Sequence, residues 1–283
     1  MKNLKKIIAV ILLVALAVGL CACAKKDDTA SNTAAETRKV LRVGMECNYA
    51  PFNWTQTEPS EYTVPIEGGM GYADGYDVQV AKKVADSLGM DLVIVKTEWD
   101  GLPMGVVSGK LDAIIAGMSP TEDRKATLDF SDAYYTSELV VVVKKDSPYA
   151  SAKTLADLSG ATITGQLNTF HYSVIPQIPG VKQSLALDTF PAMIVATQSG
   201  TVDGYVAEKP GAEADCIANP DLTYIVFEQG QGFVASEADV SIAVGLQKGS
   251  PLTADINAAL AKIPQAEREQ MMNDAKLRQP LAE

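Results

Sequence analysis

Four polar side chains that could together hold a small zwitterion stand just beyond short apolar runs: Glu46 after residues 40–45, Ser119 and Arg124 after 112–117, and Glu208 after 202–207. A guanidinium offers a carboxylate two parallel hydrogen bonds, and a carboxylate balances an ammonium group. Arg124 with Ser119 on one wall of a cleft and Glu208 on the other therefore describes an α-amino acid. Glu46 is then free to meet the ligand side chain, where it favours a cation or accepts a hydrogen bond from a neutral polar group. Plainer uses remain open: Arg124 can pair with Asp123 or Asp129 on the surface, and Glu208 can be a solvated loop acid.

Flat rings and small donors complete such a cleft. Tyr49 and Trp99 fall in turns beyond strands and suit ligand walls, whereas Phe52 and Trp54 suit the core. Thr169 and the Asn168 amide supply further donors. His171, the single histidine, has no second imidazole or cysteine beside it and reads as a helix-surface or loop residue.

The elements that must position these groups follow from periodicity. Residues 40–45, 92–95, 112–117, 139–143, 161–164, 202–207, 223–226 and 241–246 read as strands. Val78, Ala81, Val84, Ala85 and Leu88 share one helical face that closes at Gly89. Strand, helix and strand in series predict an α/β fold with largely parallel, buried sheets. An internal repeat divides it: SGKLDAII at 108–115 and SGTVDGYV at 199–206 share one pattern at an offset of 91 residues, which suits two similar lobes. Taken alone, the pattern could equally mark a helix end, a turn and a new strand. Ser119-Pro120-Thr121-Glu122 has the form of a capping box with proline at the first helical position, placing a helix start and its amide groups beside Arg124.

Composition removes other chemistries. The chain has 283 residues, 47% of them hydrophobic, enough for one large or two medium cores. A net charge of −11 repels phosphate and argues against a nucleic-acid partner. One histidine and four cysteines leave little for zinc, a disulfide scaffold or imidazole catalysis, so no metal and no cofactor are expected.

Residues 1–22 carry Lys2, Lys5 and Lys6 ahead of an apolar run from 7 to 22, the form of a signal peptide. The run ends Leu20-Cys21-Ala22-Cys23, which resembles the bacterial lipobox, with Cys23 as the lipidated residue. Removing three lysines and no acid takes the charge from −11 to −14. Residues 23–38 hold almost no large apolar side chain and read as a flexible tether, so the expected location is the outer face of a cell membrane.

LRVGM at 41–45, YAPF at 49–52, GYDV at 75–78, SGKLDAIIAGMSPTEDR at 108–124 and LDFS at 128–131 together resemble family 3 extracellular solute-binding proteins, the polar-amino-acid receptors of ABC importers. The resemblance implies a two-lobed, type II periplasmic-binding-protein-like fold whose lobes close on the ligand about two crossover strands. It places the crossovers near 137–143 and 239–245, with 39–138 plus 243–283 as lobe 1 and 139–242 as lobe 2. By position Arg124, with Ser119 and Gly117 beside it, matches the carboxylate-binding arginine, and Glu208 matches the acid for the ammonium. Tyr49 and Trp99 match the walls, and Glu46 matches an acid that meets a cationic side chain. Where the family often has a Gly-Ser/Thr-Thr turn this chain has Gln166-Leu167-Asn168-Thr169, so only Thr169 carries over. Residues 55–73 exceed the usual hairpin and are expected to border the cleft. Cys47 and Cys216 fall in different lobes on this map, and a bridge between them would oppose the hinge, so free thiols are expected. The implied protein is a monomeric receptor, not an enzyme, that hands its ligand to an ABC permease. The alternatives are a cyclohexadienyl-dehydratase-like enzyme using Glu208 as its acid or base, and a sensory lipoprotein with the same site.

Overall fold

The computed structural model describes residues 39–280. The expected signal peptide 1–22, the lipidated Cys23 and the tether 23–38 lie outside the described residues. Among the described residues no helix is long and apolar enough to cross a membrane.

Two five-stranded sheets are built on one plan. The first runs Asp91–Lys96, Val40–Met45, Ala113–Ile114, Ser241–Gln247, Leu128–Thr136; the second runs Lys182–Gln183, Thr162–Thr164, Gly204–Glu208, Leu139–Lys144, Leu222–Ile225. In each, the first three strands are parallel and the fourth is antiparallel to its neighbours. The chain leaves the first sheet at Thr136, enters the second at Leu139, and returns from Ile225 to Ser241. These two passages make the fold a two-lobed α/β structure.

Burial explains the sequence of the central strands. Val140, Val141, Val142 and Val143 are all at most 1% exposed, because a strand covered on both faces needs an unbroken apolar run rather than alternation. The helix Tyr76–Leu88 buries Val78, Ala81, Val84 and Ala85 on the predicted stripe. The central strand of the first sheet is shorter than the sequence predicts. Its ladder ends after Ile114, and the chain makes one last bond from the Ile115 amide to Gly44 O, at 3.3 Å, before turning into the cleft. The sequence reading gave no strand at Leu128–Thr136, where Asp129, Ser131 and Asp132 interrupt the apolar pattern at a sheet edge.

The repeated S-G-x-[LV]-D motif does the same work in both lobes. Gly109 and Gly200 adopt φ of 73° and 76°, left-handed turns that end a helix and start the central strand. Asp112 Oδ2 then accepts the Arg42 amide at 2.8 Å, and Asp203 Oδ2 accepts the Thr162 amide at 2.7 Å. Each aspartate thus clasps the parallel strand beside the central strand of its own sheet. Asp112→Ala or Asp203→Ala leaves a partly buried N–H without its partner, and each is expected to lower the unfolding free energy by about 1–2 kcal/mol in urea titrations.

Two expectations are corrected. Residues 55–73 do not border the cleft: their short strands Val64–Pro65 and Tyr72–Asp74 join Asn53–Gln56 and Asn48–Tyr49 in a four-stranded sheet. Ile66 bridges Ile94, the Glu67 amide bonds Ile94 O at 2.9 Å, and the Glu67 carboxylate takes the Arg42 guanidinium, so the segment covers the exposed edge strand Asp91–Lys96. An uncovered edge would be free to pair with another chain. The second correction concerns Ser119, which does not cap a helix. Thr121 is the cap, accepting the Arg124 amide at 3.4 Å, and the helix is the single turn Glu122–Lys125, too short to sum much dipole. Cys47 and Cys216 are free thiols as expected, and burial pushes both up to about 12.

Candidate binding site

In an open α/β sheet a ligand lies beyond the carboxyl ends of the strands, where strand order reverses. Here those ends carry Glu46 and Gly117 in the first sheet and Gln166 and Glu208 in the second. Gly117, Gln166 and Glu208 meet around a narrow cavity of about 20 Å³. Of the predicted residues, Tyr49, Trp99, Gly117, Ser119, Arg124, Thr169 and Glu208 line it.

Glu208 ends the Gly204–Glu208 strand and is 4% exposed. Its Oε2 accepts the Tyr49 hydroxyl and lies 2.7 Å from His171 Nε2. Burial pushes this carboxyl up, but the His171 charge and the hydrogen bonds from His171, Tyr49 and its own backbone amide outweigh burial, and the net position is below the usual value. It is therefore a carboxylate at neutral pH. Tyr49 belongs to the other lobe, in the strand Asn48–Tyr49, and is 4% exposed rather than loop-borne. Its ring stacks between Phe52 and Phe190, with centroids 4.9 and 4.2 Å away. Gly117, at φ 63°, lets this ring lie close: a Cβ there would sit 2.9 Å from Tyr49 Cε1. Phe52 and Trp54 are core residues, as expected.

Arg124 is held at the opposite wall by carbonyls, not by carboxylates. Its Nη1 donates to Ser119 O at 3.0 Å and Nη2 to Asn168 O at 3.4 Å, and Cζ lies 5.0 Å from the centre of the Trp99 ring. It pairs with neither Asp123 nor Asp129. Burial lowers the guanidinium to about 10, which still leaves it cationic at neutral pH. With five N–H donors and two used on carbonyls, it keeps a fork for an anionic ligand group.

Glu46 is 4% exposed but does not line the cavity. The Gln166 amide, which does, donates to its Oε1 at 3.1 Å and Oε2 at 3.4 Å and to Asp188 O at 3.0 Å. Burial pushes the Glu46 carboxyl up to about 7; the Gln166 hydrogen bond opposes that, and the charges of Glu98 and Asp100 add to it. Thr169 turns its hydroxyl to Gln166 O at 2.7 Å.

Sequence reasoning missed Gln166, Asp239 and above all His171. His171 is neither a surface nor a loop residue: it is 8% exposed, on the short helix Phe170–Ser173, and joined to Glu208. One signal could have found Gln166. Asp112 and Asp203 clasp Arg42 and Thr162, and the residues four further on are Glu46 and Gln166, so these are counterparts in the two lobes. Their offset is 120 rather than 91, because the four-stranded sheet is inserted in lobe 1 alone, and a fixed-offset comparison passes over them.

The profile of the bacterial extracellular solute-binding proteins, family 3, matches residues 41–274. A probable histidine-binding protein of Campylobacter jejuni is 31% identical over 234 residues, 81% of this chain and 85% of its own length. The arginine-binding extracellular protein ArtP of Bacillus subtilis is 27% identical over 267 residues, 92% of this chain and 93% of its own. The structure of the amino acid ABC transporter substrate-binding protein AbpA from Streptococcus pneumoniae, bound to L-arginine, matches with a TM-score of 0.70 at 25% identity, covering 84% of this chain and 94% of its own. The shared architecture is the two-lobed, type II periplasmic-binding-protein-like fold, and the relatives are solute-binding proteins rather than enzymes. The chain belongs to family 3 of the bacterial extracellular solute-binding proteins.

Proposed function

We propose that this chain is the extracytoplasmic receptor of an ABC importer for a polar L-amino acid, with cationic side chains preferred. The observation that carries the reading is one cavity with the Arg124 guanidinium on one wall and the ionised Glu208 carboxylate on the other, the complement of an α-carboxylate and an α-ammonium. Ser119 and Thr169 flank the carboxylate end, and Tyr49 and Trp99 form the walls. Glu46, reached through Gln166 and backed by Glu98 and Asp100, supplies negative potential for a cationic side chain. The lobes, 39–138 with 243–283 and 139–242, close on the ligand, and a lipidated Cys23 tethers the monomer beside its permease.

A thermal-shift screen of the protein against the twenty amino acids tests this. A ligand at about a thousand times its dissociation constant should add ~4 kcal/mol of stability, and a screen in which none raises the melting temperature overturns the reading. The side-chain preference is tested separately. Glu46 sits at about 7, and a cationic side chain needs its carboxylate form, so affinity for L-arginine should fall as pH drops below that value, by up to about tenfold per unit. Glu46→Gln should weaken L-arginine more than L-glutamine, and equal losses remove the preference.

A further inference from the structure

Two residues at the rim of the cavity are turned away from their local duties and toward each other. Asp100 stands at the N-cap of the helix Gly101–Val107, where a carboxylate ordinarily accepts a first-turn amide, yet it makes no side-chain cap bond. Its two oxygens instead accept the Asn168 side-chain amide at 2.9 and 3.0 Å. Asn168 holds φ at 57°, a left-handed conformation that asparagine tolerates better than most side chains but that still costs free energy.

The pair joins the two sheets. Asp100 follows the edge strand Asp91–Lys96 of the first, and Asn168, 68 residues later, follows Thr162–Thr164 of the second. The turn that carries Asn168 is fixed to its own sheet: the Leu167 amide bonds Leu187 O at 2.8 Å, Gln166 bridges Leu187, and Thr169 Oγ1 donates to Gln166 O at 2.7 Å. The backbone oxygen of Asn168 faces the first sheet as well, accepting Arg124 Nη2 at 3.4 Å and the Trp99 indole N–H at 3.5 Å. These Asn168 bonds all cross the cleft. Trp99, Arg124 and Thr169 line the cavity, whereas Asp100 and Asn168 are exposed and do not.

We infer that Asn168 and Asp100 form a latch that holds the cleft shut over a bound amino acid and sets how long the ligand stays, without touching it. This rests on the receptor reading above. A bond that exists only when the two lobes are together stabilises that arrangement and not the separated one, so it shifts the population toward the form that retains ligand. Opening must break a two-pronged bond to a carboxylate, whereas the encounter of a ligand with separated lobes breaks none. The effect therefore falls on release rather than on association. The left-handed backbone at Asn168 and the uncapped helix at Asp100 both cost stability locally, and the contact across the cleft offsets them.

Asn168→Gly tests the latch, because glycine keeps the left-handed backbone and its carbonyl oxygen and removes only the amide. In stopped-flow chase experiments, bound L-arginine should leave this variant about five- to tenfold faster than wild type, with association changed by less than about twofold and the ligand-free melting temperature little changed. L-Glutamine is run in parallel, and the factor should be the same for whichever of the two binds, because the latch touches neither. Asn168→Asp sets two carboxylates face to face and should also speed release. Adding Asp100→Asn exchanges donor and acceptor, and should bring release back to within about twofold of wild type. A merely structural role for either residue gives no such rescue. Wild-type release from Asn168→Gly, or a double exchange that releases no more slowly than Asn168→Asp alone, overturns the latch and leaves the receptor reading intact. A protein that takes up none of the twenty amino acids overturns both.

Discussion

Arg124→Ala is expected to cost about 3 kcal/mol of ligand affinity, roughly 150-fold, because a desolvated ligand carboxylate loses a charged, two-pronged partner. The effect on melting is calculable. At a concentration about a thousand times the wild-type dissociation constant, the ligand adds ~4 kcal/mol of stability; after a 150-fold loss the same concentration adds only ~1 kcal/mol. The unliganded protein should be affected little, since the guanidinium contacts only the carbonyls of Ser119 and Asn168 and the Trp99 ring, and the backbone bond from Arg124 to Thr121 survives the change. Arg124→Lys should fall between, keeping the charge but not the fork. An unliganded melting temperature that falls as far as the ligand-induced shift would mean that Arg124 is a structural residue.

Glu208→Ala is expected to abolish binding as well, but not by itself. Glu208 is the common partner of Tyr49 from one lobe and His171 from the other, and its removal orphans a buried hydroxyl and a buried imidazole. Leaving two buried polar groups without their partner costs about 3 kcal/mol, so the unliganded melting temperature should drop on the order of 6–12 °C. The pH dependence has a definite sign. Glu208 lies below its ordinary value of 4.5 in the folded protein, so the stability it contributes is present above that pH and is lost as pH falls through the depressed folded value. Glu208→Gln should lack this acid-side loss. If both Glu208 variants melt with the wild type while binding is lost, the contacts to Tyr49 and His171 carry no stability.

The legible part of the fold was the part written in local pattern. The helix Tyr76–Leu88 shows its buried stripe in residue spacing, and the strand Val40–Met45 shows its burial in an apolar run. The offset of 91 that relates the two aspartate clasps also relates Gly117 to Glu208, so the floor of the cleft in both lobes could be counted along the chain. The strand Leu128–Thr136 was not legible, because an edge strand with one wet face needs no apolar run. Residues 55–73 were misplaced for a related reason. What they cover is the edge of Asp91–Lys96, and pairing between segments distant in sequence leaves no periodic mark.

By itself the sequence determined the α/β architecture and the duplicated plan and placed Arg124 and Glu208 near strand ends, since strand burial, helical spacing and a repeated clasp are properties of neighbouring residues. It could not determine the partners of those charges. His171 reads as a lone polar residue on a short helix until folding brings it against Glu208, and Glu46 reads as a free acid until Gln166 of the other lobe covers it. Whether a charge is available to a ligand depends on which side chains reach it from other elements and on how much water they exclude. Those are distances between parts of the chain that its order does not encode.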